Sequence, residues 1–218
     1  MLKSIKTSVV ALILVSTAII AHAQKKMSEG TIVYGIKYKI EAPGAPEEQK
    51  VKFNGDISKL EMEFGPAAIG VLMDNKSQTG MVLVDIPVAQ KQYAAKMTKA
   101  DMEESNAAKP KYSDFKATGE KKTVSGYNAE KYTFKDDKGG TGELWATLDV
   151  EVPANIATAD FKDIKGTIVL VDTPQATITL KSLTEGKVGE LSVTKAPAGY
   201  DEITYAELKA MQQQGGGE

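Results

Sequence analysis

Hydrophobic and polar positions alternate along most of this chain with a period of two. Over residues 30–40, Ile32, Tyr34, Ile36, Tyr38 and Ile40 alternate with Thr31, Val33, Gly35, Lys37 and Lys39. Alternation over that length predicts a long strand with one apolar face. Residues 41–48 carry Pro43, Gly44 and Pro46, which reads as a loop. Residues 50–53 and 59–64 flank Asn54-Gly55, a pair that readily takes the positive φ of a hairpin turn. In the second of these runs Leu60, Met62 and Phe64 share one face, and Lys59, Glu61 and Glu63 share the other. Residues 69–73 and 81–86 flank the turn Asp74-Asn75-Lys76-Ser77. Their apolar residues do not alternate cleanly, which predicts strands covered on both faces. Residues 91–97, with Tyr93, supply a following strand.

Residues 98–110 break the pattern. Thr98 followed by Asp101 is a helix start, and Ala100 and Met102 are the apolar residues of its first turns. The acidic cluster Asp101, Glu103 and Glu104 reads as a solvated helix face rather than a cation site. Strand alternation returns over 118–124 and 127–134, with Gly126 between. Residues 136–142 form a Gly-rich hairpin turn. Leu144, Ala146 and Leu148 then alternate with Glu143, Trp145 (the only Trp) and Thr147. Residues 152–163 are irregular, with a turn of helix expected near 155–161. Further strands are predicted at 167–171, 176–180 and 191–194. Thr204 with Glu207 fits a capping box, followed by a short helix with Tyr205, Leu208 and Met211 on one face. Roughly ten short strands joined by turns predict a mainly β fold: an antiparallel sheet, barrel or sandwich.

The first residues change where this domain is expected to work. Lys3 and Lys6 precede an apolar run from Val9 to Ile20, and Ala21-His22-Ala23 is a small-x-small cleavage site. Residues 1–23 therefore read as a signal peptide, 24–211 as a single β domain and 212–218 as a flexible tail. Cleavage near Ala23 would leave a periplasmic or secreted protein with no transmembrane segment in the mature chain. Of 27 basic and 29 acidic residues, only the two leader lysines precede Gln24, so the mature formal charge is −4. That balance gives no footprint for nucleic acid.

Composition narrows the chemistry further. The 218 residues contain no Cys, every basic residue is Lys, and the one His is His22 in the predicted leader. A mature chain of this kind has no thiol nucleophile, no hydroxyl–imidazole pair and no imidazole or thiolate metal site. No cofactor and no metal are expected. Glu61 and Glu63 share a strand face, but Lys59 beside them makes an exposed charged surface the simpler reading than a catalytic carboxylate pair. The chain is expected not to be an enzyme.

Several stretches, in order, resemble a family of exported bacterial proteins of unknown function, domain-of-unknown-function family 4412. They are Glu29-Gly30-Thr31-Ile32-Val33-Tyr34, then Gly55-Asp56-Ile57-Ser58-Lys59-Leu60-Glu61-Met62, then Thr118-Gly119-Glu120 with Gly126-Tyr127 and Glu130-Lys131-Tyr132. Glu143-Leu144-Trp145-Ala146-Thr147 and Pro197-Ala198-Gly199-Tyr200 complete the series. The resemblance implies a strongly curved antiparallel sheet, a half-barrel of the periplasmic lipoprotein-carrier (LolA/LolB-like) kind, with one or two short helices. In such carriers helices plug a concave apolar face that receives acyl chains. The candidate ligand lining here is Tyr34, Tyr38, Leu60, Met62, Phe64 and Trp145. Two readings stay open: a non-catalytic envelope protein holding a lipid or other apolar ligand on that face, and a module that binds another envelope protein. The second would use a sheet edge at residues 81–86 and the C-terminal helix.

Overall fold

The period-two runs become strands, with the exception of residues 191–194. The computed structural model describes residues 24–215; the predicted leader, residues 1–23, and residues 216–218 lie outside the described residues. The first half holds β1 (Lys25–Lys26), β2 (Glu29–Tyr38), β3 (Glu48–Asn54), β4 (Ile57–Phe64), β5 (Ala67–Asp74), β6 (Thr79–Ile86) and β7 (Lys91–Met97). The helix α1 (Lys99–Ala107) follows, then β8 (Tyr112–Val124), β9 (Tyr127–Asp136), β10 (Thr141–Thr147) and β11 (Val150–Glu151). The chain ends with β12 (Thr167–Asp172), β13 (Ala176–Glu185), β14 (Asp201–Thr204) and α2 (Tyr205–Gly215). The tail expected from Gln212 is helical to Gly215.

Twelve strands form one sheet in the order β14-β7-β6-β5-β4-β3-β2-β13-β12-β10-β9-β8. The sheet is not closed: β14 and β8 are its two edges. It is antiparallel throughout except at one edge, where β14 runs parallel to β7. The short β1 and β11 form a separate parallel pair. The expected all-antiparallel sheet is thus corrected at that edge, because the chain reaches β14 by a long crossing segment rather than a tight turn.

Directly paired residues point to the same face, so the register defines two faces. The front face carries Ile32, Tyr34, Val51, Phe53, Leu60, Val71 and Val82, and the back face carries Lys50, Lys52, Lys59, Glu61, Leu72 and Leu83. At the end nearest the helices both faces of β5 to β7 are covered, as the lack of alternation predicts. On the front, Met73, Val82, Ala95 and Met97 pack with Met102 of α1, Leu208 of α2 and Ile156. On the back, Leu72, Met81, Leu83 and Ala94 are buried with Val193, while Leu191, Ala196 and Tyr200 pack against them. These last four residues belong to an irregular strap between β13 and β14. The strand expected at 191–194 is part of this strap, not of the sheet.

A second irregular segment, between β11 and β12, lies against the front face. Phe161 and Ile164 pack with Phe134, Leu144, Ile168 and Val171, and Ile156 joins the group under the helices. Polar anchors hold it there. Ser58 is fully buried in an otherwise apolar row, and its Oγ accepts the Ile156 N–H at 3.2 Å. The Asn75 amide donates to the Ala154 carbonyl, and Thr167 Oγ1 donates to the Val150 carbonyl at 2.9 Å.

Both helices start at capping boxes. Thr98 Oγ1 accepts from Asp101 N at 3.2 Å while the Asp101 carboxylate accepts from Thr98 N at 2.8 Å. Thr204 and Glu207 repeat the exchange at 3.1 and 2.7 Å. Lys209 of α2 lies 2.9 Å from Glu104 of α1, tying the helices together.

The outer strand β8 is exposed along most of its 13 residues. Its pairing with β9 shifts register twice, near Asp114 (φ +57°) and Gly119 (φ +77°). Trp145 lies on the back face beside this strand, 3% exposed, with Val124 and Ala129 in its cluster and Leu170 packed against it. The Lys122 ammonium sits 3.9 Å from the ring centroid. Trp145→Ala should destabilise the fold by about 3–5 kcal/mol in urea unfolding. A loss below about 1 kcal/mol would mean that the ring contributes no core packing.

Candidate ligand-binding face

Rows of paired residues cross the front face, and their burial falls from row to row. Met97, Gly80, Met73, Ser58, Phe53 and Gly30 form a row that is buried throughout. A Cβ on Gly30 would meet the Thr184 carbonyl oxygen at 2.5 Å and the Phe53 ring at 3.0 Å, so this row is packed to contact. In the next row Ala95, Val82, Val51 and Ile32 are buried, and Val71 and Leu60 are half-buried. In the third, Tyr93, Val84, Ile69, Met62 and Gln49 are all half-buried, and only Tyr34 is enclosed. Beyond it Ile86 is half-buried and Phe64 is 38% exposed. The helices and the crossing segment thus cover one end of the front face, and cover thins toward the other.

The six candidate lining residues divide accordingly. Leu60, Met62 and Phe64 lie together on the thinly covered part of β4. Tyr34 belongs to the core: it is 3% exposed, its hydroxyl donates to the Ile168 carbonyl at 3.0 Å, and burial pushes its phenol well above the usual range. Tyr38 is half-buried and donates to the Pro46 carbonyl at 3.1 Å, fastening the β2–β3 loop. Trp145 is on the opposite face, since it pairs with Lys131 and Leu170 while its neighbour Leu144 pairs with Val171 on the front. The structure adds Ile69, Val84 and Tyr93 to the open row. Residues 69–73 and 81–86 are apolar on both faces, which hides the alternation that would have assigned Ile69 and Val84 to the front. Residues 81–86, expected as an exposed edge, form the interior strand β6 between β5 and β7.

The back face holds a cleft of about 760 Å³, lined by Glu48, Lys50, Lys59, Glu61, Asp85 and Tyr200 among others. Some of its charged groups are held by partners. Glu61 lies 3.0 Å from Lys52 and 2.8 Å from Lys59, Lys181 lies 2.9 Å from Glu48, and Gln92 donates to Asp85 at 3.0 Å. Glu61 and Glu63 do lie on one strand face, and Glu61 is enclosed by lysines. Burial alone would raise the Glu61 carboxyl, but hydrogen bonds and charge from Lys59 and Lys52 outweigh it and hold the group below its usual value.

Residues 35–159 match a family described as a domain of unknown function, DUF4412. The chain belongs to this family. The matched stretch of this DUF4412 member runs from β2 into the crossing segment and includes the open front row. No curated protein matches the chain. Among solved structures the fold is similar to that of PNGF-II, at 17% identity with a TM-score of 0.51, over 84% of this chain and 33% of PNGF-II. The DUF4412 chain therefore spans about a third of that protein, and the likeness concerns the fold alone. A looser likeness, to the Mycobacterium tuberculosis lipoprotein LppX, has 11% identity and a TM-score of 0.35 over 75% of this chain and 90% of LppX. At that score it carries no functional argument. Among the described residues no helix is long and apolar enough to cross a membrane.

A depressed carboxyl pKa stabilises the folded state above the unfolded pKa, and this contribution is lost as pH falls through the folded value. Glu61→Gln should therefore cost about 1 kcal/mol or less at neutral pH. The gap from wild type should close on acidification through the carboxylate range. Urea unfolding at a series of pH values checks this; a gap that does not change with pH would show that the ionised carboxylate contributes nothing.

Proposed function

We propose that this DUF4412 protein is an exported, non-catalytic binding protein that holds an apolar, lipid-like ligand on the open part of its front face. One observation carries the reading: Met62, Ile69, Val84 and Tyr93 form a half-buried apolar row across four adjacent strands, at the place where the helical cover stops. A sheet face of this kind offers contact area with few hydrogen-bonding groups, which suits an acyl chain or another extended apolar molecule. The reading as a non-catalytic protein is supported by the engagement of Glu61 with Lys52 and Lys59 and of Glu48 with Lys181, which occupies these carboxylates with charge partners. The alternative, a protein-binding module using residues 81–86 as an edge together with the C-terminal helix, loses the edge because β6 is interior, while α2 still exposes Met211.

A fluorescent fatty-acid analogue should bind the purified protein saturably. Met62→Glu and Ile69→Glu each place a charge in the row and should weaken binding about tenfold or more, because that charge would be desolvated by the ligand. Both side chains are only half-buried, so the fold should survive, and near-ultraviolet circular dichroism checks it. The reading fails if wild type shows no saturable binding, or if both variants bind as wild type does.

A further inference from the structure

The connections at the two ends of the sheet differ in kind. At one end the hairpins β3–β4 and β5–β6 turn through polar residues, at Gly55-Asp56 and at residues 75–78. At the other end the three successive connections β2–β3, β4–β5 and β6–β7 each present an apolar side chain. Ile40 is 57% exposed, Phe64 38% and Val88 78%, three of the five large hydrophobic residues most exposed among the described residues. The three tips follow one another along the sheet end at intervals of two strands, roughly 10 Å. They stand where the front face is least covered.

Their backbones are also rich in proline. Pro43, Pro46, Pro66 and Pro87 have no N–H, and half of the chain's eight prolines lie in these three connections. Ala45 N donates to Ala42 O at 3.1 Å, and Gln90 N donates to Pro87 O at 3.0 Å, closing two of the tips on themselves. The β4–β5 turn is two residues long, with Gly65 at φ +54° ahead of Pro66. Each proline removes one donor that would otherwise have to be desolvated on entering a poorly hydrating environment. Flanking charge is mixed: Lys39 and Glu41 bracket Ile40, Glu63 precedes Phe64 and Lys91 follows the Val88 turn. That balance gives no attraction to acidic head groups.

We infer that the Ile40, Phe64 and Val88 end of the sheet docks on a lipid surface through shallow apolar insertion. Separate protrusions two strands apart suit a fluid phase that closes around each of them, whereas a protein partner would have to supply three matching sockets. Docking itself stands on the composition of the tips. Its role, turning the open front row toward the source of an apolar ligand, rests on the function proposed above.

Sedimentation with neutral phosphatidylcholine vesicles tests this. Wild type should partition onto the vesicles, and partition should change little between low and high salt. The combined variant Ile40→Ser, Phe64→Ser, Val88→Ser should partition about tenfold less or weaker still, since each side chain gives up apolar burial. It should keep the wild-type Tm, and the double variant Ile40→Ser, Val88→Ser, which leaves the lining of the front row intact, should still bind the fluorescent fatty-acid analogue. Met62→Glu should do the reverse, losing the analogue while keeping the vesicles. The proposal is overturned if wild type does not partition, if the triple variant partitions equally, or if partition collapses with salt. If vesicle binding is retained and the analogue does not bind wild type, docking stands and the ligand reading falls.

Discussion

The structure depends on how a wide sheet is covered. Twelve strands create two faces, and the two helices are too short and too polar to shield even one of them. The chain meets the shortfall with irregular segments. The strap between β13 and β14 closes the back of β5 to β7, and the segment between β11 and β12 lies against the front. Where these run out, apolar side chains stay in contact with solvent, and that shortfall is the origin of the candidate binding row. A row of partly uncovered apolar side chains is the kind of surface on which the proposed ligand reading rests.

Irregular chain needs polar anchors to remain against an apolar surface, because its backbone groups have no ladder to satisfy them. Ser58 supplies one of these anchors from within the sheet. A hydroxyl at a fully buried front-face position would weaken a purely apolar core, but here it receives the Ile156 N–H. Asn75, in a hairpin turn, donates to the Ala154 carbonyl. On the back face Glu29 has the same role for the strap: its side chain accepts from Val188 N at 2.9 Å and its carbonyl accepts from Gly186 N at 3.3 Å. The sheet therefore carries both the apolar contacts and the hydrogen-bonding points that its covers require.

Much of this fold could be read from the amino acids. The alternation from Ile32 to Tyr38 became β2 with the expected apolar face, and Thr98/Asp101 and Thr204/Glu207 became the capping boxes that start the helices. What escaped depends on long-range contact. Residues 191–194 look like a strand because a strap that buries Leu191 and Val193 has the same local pattern. The β14 strand is four residues long and pairs in parallel, so neither a turn nor a long alternation announces it. Of the candidate lining, Leu60, Met62 and Phe64 share a face as their spacing indicates. Trp145 could not be placed beside them without the register that carries the sheet from β2 through β13 and β12 to β10.

The interruptions in β8 bear on what happens at the sheet's outer margin. Asp114 and Gly119 each break the ladder, and lysines occupy the stretches between and beyond them. No run of evenly spaced donors and acceptors is left that is long enough for a second molecule to lay down a matching strand. That margin of the open sheet is thereby a poor template for a further strand.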